Sequence, residues 1–248
     1  MNPHDSLEAA FVLHRRAYRE SSLLVELLTA SRGRVGVVAR GARGARSRWR
    51  GILEPFQALL VGFAGRGELA TLRHAETADR PPRLAGTSLA SAFYMNELLL
   101  RVLRRDDACP EVFAAYAAGL QALTDGQGEA RALRLLEMRL LHSLGYGLTL
   151  RRTAGGEAIR HHGWYRYIPG EGLEEVSTAD PRCCPGRVIL ALADEESLAD
   201  ETVYLQAKCI TGAAIAPLLG DRPLESRSLY RQQQRRSVRT EGPDELPS

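Results

Sequence analysis

Lysine is almost missing from this chain: Lys208 is the only one, so 32 of the 33 basic residues are arginine. A GC-rich genome's codon usage would produce that bias, which tells which cation is used but not where it is placed. Cysteine is scarce as well. Cys109, Cys183, Cys184 and Cys209 are the four, and no CxxC pair occurs among them, against the spacing that strong zinc and dithiol motifs show. No apolar run approaches a membrane span, and Asn2-Pro3-His4-Asp5 is neither a charged leader nor an apolar one. Reduced thiols in the cytoplasm and no membrane partner are the expectation. The phosphate loop GxxxxGK[ST], a GxGxxG after a strand, the GxSxG elbow and HExxH are all absent. Nothing assembles a nucleophile, base and orienter, so no catalytic residue and no cofactor are expected.

What is present is unevenly spread. The net charge of +3 belongs to a chain of 248 residues that is 44% hydrophobic and 25% charged, ordinary globular values. Residues 1–83 hold 14 arginines against 8 acidic residues, while the remainder is slightly acidic. A basic front third on a near-neutral body is the electrostatic outline of a polyanion binder. The densest run is Gly33 to Arg50. It reads as a strand in which Val35, Val37 and Ala39 alternate with other residues. A supple glycine-containing loop follows, carrying Arg40, Arg43, Arg46, Arg48, Trp49 and Arg50. Spaced guanidiniums can follow phosphates along a strand, and an indole beside them can stack on a base. The plainer alternative is a solvated basic loop.

Around this run, Ala10–His14, Leu23–Leu28, Phe56–Phe63 and Glu68–Ala75 read as four further strands. Arg15–Ser21 and Gly65-Arg66-Gly67 are their turns. Five short strands with basic turns suit a small Greek-key barrel of the OB type, with an SH3-like barrel or an open meander as alternatives. Arg80-Pro81-Pro82-Arg83 breaks the pattern, and helical periodicity follows. Helices are expected over Leu89–Leu103, from Pro110 to Leu123, over Glu129–Leu144 with Gly145 as its stop, over Arg187–Leu192 and over Leu198–Leu219. The whole reads as an α+β chain: an OB-fold domain at 1–80, a mainly helical domain at 84–230 with an irregular insert at about 151–186, and a disordered tail at 231–248. The insert holds His161-His162, Trp164-Tyr165-Arg166-Tyr167 and Cys183-Cys184. Its aromatic run suits a strand laid over the helical core. Its His and Cys pairs suit a metal-dependent enzyme poorly, because neighbours in extended chain point to opposite sides.

The order of motifs resembles one family. Tyr18-Arg-Glu-Ser-Ser-Leu23, Ala39-Arg-Gly-Ala-Arg43, Gly65-Arg-Gly-Glu-Leu69, Tyr94-Met-Asn-Glu-Leu-Leu99, Leu133-Arg-Leu-Leu-Glu137, Leu144-Gly-Tyr-Gly147 and Ser226-Arg-Ser-Leu-Tyr-Arg-Gln232 are similar to the RecO family of bacterial DNA repair proteins. The resemblance implies an amino-terminal OB fold, a helical second domain, and a recombination mediator that binds single- and double-stranded DNA. It further implies annealing of complementary strands without ATP, work with RecR and often RecF, and loading of RecA onto strands coated by SSB. On it, Arg34, Arg40, Arg43, Arg46, Arg48 and Arg50 are the expected phosphate contacts, with Arg15, Arg16 and Arg66 next and Trp49 as a stacking side chain. Arg134 would meet the carboxylates of the SSB carboxyl tail, with Leu205 standing where relatives suggest a second cation. Some relatives carry a four-cysteine zinc motif after LGYG, which this chain lacks, so no metal is expected. An RNA-binding OB protein is the alternative from the residues alone.

Overall fold

The computed structural model describes residues 7–65, 68–177, 180–194 and 200–240, the last seven of these by their backbone alone. Five strands come first: β1 (Glu8–Tyr18), β2 (Ser22–Thr29), β3 (Gly33–Ala39), β4 (Ala58–Ala64) and β5 (Ala70–Thr77). They close into a barrel in the order β1-β2-β3-β5-β4. All neighbours are antiparallel except β3 and β5, which run parallel through Val37–Ala70 and Val38–Thr71. This is the OB-type barrel, and closure removes the meander alternative because no edge is left over. The β2–β3 register sets Val25 against Val37 and Leu27 against Val35. All four point inward with Val12, Leu59, Val61 and Leu72. Each such side chain contributes about 1.5–3 kcal/mol by leaving water.

β1 is longer than its apolar residues suggest. A bulge between Val12 and His14 bends it, and beyond Val12 it pairs with β2 alone, since β4 covers only Glu8–Phe11. Its far half therefore has two solvated faces. Arg15 and Arg16, expected in a turn, stand on this strand extension with both side chains exposed.

The β2–β3 turn depends on Gly33. Its φ is +65°, and a Cβ there would sit 1.9 Å from the carbonyl oxygen of Asp107. Only glycine fits that approach.

Helices follow: α1 (Gly86–Val102), α2 (Pro110–Asp125), α3 (Glu129–Ser143), α4 (Gly186–Ala193), α5 (Glu201–Leu219) and α6 (Ser226–Thr240). The chain forms two compact units, dividing after Phe113 and again before Pro223. The first holds the barrel, α1 and α6. The composition shift at Arg80–Arg83 falls before α1, yet α1 groups with the barrel. Its Asn96 amide donates to the Leu13 carbonyl oxygen at 2.7 Å, and Phe93 meets Phe56 edge-on at 5.0 Å between ring centroids. Helix α6 is anchored on α1 through Glu97, whose carboxylate accepts from the N–H groups of Glu225 and Ser226 at 2.9 Å each. A carboxylate at a helix amino end satisfies orphan donors there. Beyond Arg231, where disorder is the expectation, the described backbone continues helix α6 to Thr240; residues 241–248 lie outside the described residues.

The second unit holds α3, α4, α5 and a three-stranded sheet in the order β7-β6-β8, built from β6 (Trp164–Ile168), β7 (Gly172–Val176) and β8 (Cys183–Pro185). The insert is thus regular where it looked irregular. Tyr165, fully buried, carries the aromatic strand into a core with Val188, Ile189, Tyr204 and Ile210. At the end of α3, Gly145 N–H bonds to His142 O and Tyr146 N–H to Leu141 O, a Schellman stop with Gly145 at φ +81°. Asp200 caps α5 by accepting from Thr202 N–H at 2.9 Å. Among the described residues α5 is the one helix long and apolar enough to cross a membrane, although Tyr204, Ala207 and Ile210 on it lie in this unit's core.

Candidate nucleic-acid interface

Between β3 and β4 the chain from Arg40 to Pro55 is not a supple loop. Gly44 bonds back to Gly41, Ser47 to Gly44, Arg50 to Ser47 and Ile52 to Trp49, so it is wound as successive turns. Trp49 and Leu53 hold it down by entering the barrel core. The Trp49 indole donates to the Arg40 carbonyl oxygen at 3.1 Å. With only 4% of its surface exposed, and the Arg48 guanidinium stacked 4.2 Å from its ring centroid, Trp49 has no face to offer a base. The stacking expectation is corrected: an indole in a chain of few aromatics is worth more to the core than to the surface.

Turning the loop around that anchor throws its cations outward. Arg40, Arg43, Arg46, Arg48 and Arg50 are all exposed. Among the described residues, neither Arg40 nor Arg46 has an ion-pair or hydrogen-bond partner for its guanidinium. Arg43 reaches across to the β1–β2 turn, donating to Arg19 O at 3.2 Å and Glu20 O at 3.0 Å, while its own N–H bonds to Ser21 O. Arg48 donates to Arg73 O at 3.1 Å, and Arg50 to Ala45 O at 3.3 Å. The loop, the β1–β2 turn and β5 are thereby tied together. Arg16, Arg19 and Arg73 come alongside as further exposed cations. Arg15 is there too, paired to Glu54 at 2.6 Å, a surface pair of about 0–1 kcal/mol that leaves it available. Arg66 lies outside the described residues.

Arg34 belongs elsewhere. Its Nε donates to Glu26 at 2.8 Å and its Nη1 to Leu100 O at 2.5 Å and Leu103 O at 3.2 Å. Arg105 binds the other side of the same Glu26 carboxylate. This network fastens the segment Leu100–Asp107 over the outer face of β2 and β3, where Leu24, Glu26 and Leu28 are buried. OB domains often bind oligonucleotides on that strand 2–3 face; here the chain's own residues occupy part of it. Burial works to raise the Glu26 pKa, yet the hydrogen bonds and charges of Arg105 and Arg34 hold it below the ordinary value. Arg34 is a clamp in place of a phosphate contact. Sequence reading missed Arg105, Arg19 and Arg73; the signal for the first was a lone glutamate inside the apolar run Leu23–Leu28.

In the second unit Arg134 is also buried, at 4% exposure, and forks onto Glu137 at 2.6 and 2.5 Å. A guanidinium so engaged does not meet an incoming carboxylate, which corrects its expected role. The open feature nearby is a groove of about 490 Å³ lined by Trp164, Pro185, Arg187, Leu205, Lys208 and Cys209 among others. Leu205 is 59% exposed there. His161 and His162 stack edge-on at 5.4 Å, and among the described residues no three His, Cys, Asp or Glu side chains converge as a metal-holding group.

Comparison with known proteins bears on the same two halves of the chain. Residues 1–80 match the family model for the recombination protein O N terminal, and residues 83–217 that for its C terminal. The chain is 49% identical over 230 residues to the DNA repair protein RecO of Alkalilimnicola ehrlichii, covering 91% of each chain. It is 45% identical to the protein of that name from Methylococcus capsulatus, covering 91% of this chain and 93% of the other. With that of Yersinia pestis strain Pestoides F the identity is 42%, over 92% and 95%.

Proposed function

The chain belongs to the RecO family of DNA repair and recombination proteins, and from that premise we propose that it mediates strand exchange chemistry without performing any itself. It binds single- and double-stranded DNA through the arginine end of the barrel and anneals complementary strands without ATP. It acts with RecR, and with RecF where that is present, to load RecA onto SSB-coated DNA. The observation that carries the reading is the outward fan of Arg40, Arg43, Arg46, Arg48 and Arg50, held up by the buried Trp49. Rigidly spaced guanidiniums on a closed barrel neutralise phosphates without touching base edges. Bound strands thus repel less while their bases remain free to pair.

The groove of the second unit suits an acidic peptide with an apolar end. Arg187 and Lys208 supply charge at its rim, and Trp164, Pro185 and Leu205 supply apolar surface. We assign the SSB carboxyl tail there in place of Arg134.

Annealing of SSB-coated complementary oligonucleotides, with and without the protein and in the absence of ATP, tests the proposal. Faster duplex formation is expected. Replacing Arg40, Arg46 and Arg48 with alanine should lower the slope of log affinity against log salt by about 0.9 for each phosphate no longer neutralised. An unchanged slope would clear the loop. Competition by RNA of equal length and equal potency would favour the RNA-binding alternative.

A further inference from the structure

Three of the chain's four thiols gather in the second unit, and the fold sorts them. Cys183 and Cys184 are consecutive on β8, so their side chains leave opposite faces of the strand. The Cys183 N–H bonds to Asp180 O at 2.9 Å, and Cys183 pairs with Arg166 across the β6–β8 ladder. Cys184, fully buried, faces α5. There its Sγ lies 4.0 Å from the Gln206 carbonyl oxygen, and the Sγ of Cys209 lies 3.0 Å from that same oxygen. Both thiols therefore converge on one carbonyl oxygen, which brings β8 and α5 together at this point. Cys209 is the half-exposed member and forms part of the wall of the groove between Arg187 and Lys208.

Their acidities separate in the sense that chemistry requires. The neighbouring Cys184 thiol pulls the Cys209 pKa below its ordinary value; burial opposes this, while the N–H groups of Ile210 and Cys209 and the charge of Arg134 assist it. The proximity of Cys209, with burial, pushes the Cys184 pKa up. Cys209 is the accessible thiol of the two, with the more acidic tendency, and Cys184 is the buried thiol beside it. A reactive cysteine beside a resolving one is the arrangement that responds to peroxide.

We propose that Cys209 and Cys184 form a peroxide-oxidisable pair that closes to a disulfide between α5 and β8. The Cys209 thiolate attacks one oxygen of hydrogen peroxide. An S–O bond forms, the O–O bond breaks, and the departing hydroxide takes up a proton to become water. Cys184 then attacks the sulfur of the sulfenic acid. An S–S bond forms, the S–O bond breaks, and hydroxide leaves with the Cys184 proton as a second water. Sulfur supplies both electrons that the peroxide accepts. The bond would staple the groove wall to the sheet beneath it, and dithiothreitol would release it.

The test treats the native full chain with hydrogen peroxide, alkylates the remaining thiols and maps the peptides. Loss of two of the four thiols is expected, with a reducible cross-link joining the Cys184 and Cys209 peptides and with Cys109 and Cys183 still alkylated. In Cys184→Ser, Cys209 should instead be trapped by dimedone as the sulfenic acid. Should that variant misfold, the peptide map of the unaltered chain decides alone. Four thiols still titrating after peroxide, or a cross-link through Cys183, would overturn the assignment.

Discussion

The guanidinium carbon of Arg48 stands 4.2 Å from the centroid of the Trp49 ring, so two neighbours in sequence do opposite jobs. Trp49 goes down into the barrel and Arg48 lies across its top. The indole is a peg, and the cations around it are what the peg holds in place.

Trp49→Ala should therefore cost about 3–5 kcal/mol of stability, as for other large core truncations, read as a fall in the denaturant midpoint. In a Trp164→Phe variant, Trp49 is the only indole left of the two in the chain. Its fluorescence should stay nearly constant as oligonucleotide is added, because no base reaches the ring. Strong quenching on binding would show that the loop opens.

Arg43 and Arg46 should separate by their partners. Arg46→Ala removes an outward cation and should weaken DNA binding with the melting temperature unchanged. Arg43→Ala also frees Arg19 O and Glu20 O, so the loop should become more susceptible to limited proteolysis as well as binding less well. Equal proteolysis rates for the two variants would deny Arg43 its bracing role.

Acid should loosen the first unit through Glu26 and Glu97. Burial works to raise both, and both are nevertheless held below the ordinary 4.5: Glu26 by Arg105 and Arg34, Glu97 by Ser226, Glu225 and Arg101. A carboxylate depressed in the folded state adds stability that is complete above its unfolded pKa and lost as pH falls through the folded one. Melting temperature should thus drop below about pH 4.5, and Glu26→Gln should show a shallower acid slope than the unaltered chain. Thermal melts between pH 7 and pH 3 measure both.

Arg134→Ala leaves the Glu137 carboxylate buried without its fork and should destabilise the protein by about 3–5 kcal/mol. Replacing both by apolar residues of similar volume should recover most of that loss. Chemical denaturation of the single and double variants checks it. An Arg134→Ala protein of undiminished stability would reopen its assignment to peptide binding.

The alternation of Val35, Val37 and Ala39, the turn glycines and the helical periodicity after Arg83 sufficed for a barrel followed by helices, because backbone period and burial are local properties. The concentration of arginine in the first third was equally legible. What each arginine does was not. Arg34 and Arg40 sit at the two ends of one strand and read alike, yet one is clamped between Glu26 and the carbonyls after α1 while the other faces water. Arg134 reads as a cation for an incoming carboxylate and is buried on Glu137. Cys184 and Cys209 lie far apart in the chain and meet only where β8 packs on α5. Pairing and burial of charge are set by which distant segments the closed barrel and the packed helices bring within a few ångströms. That distance is a property of the tertiary structure alone.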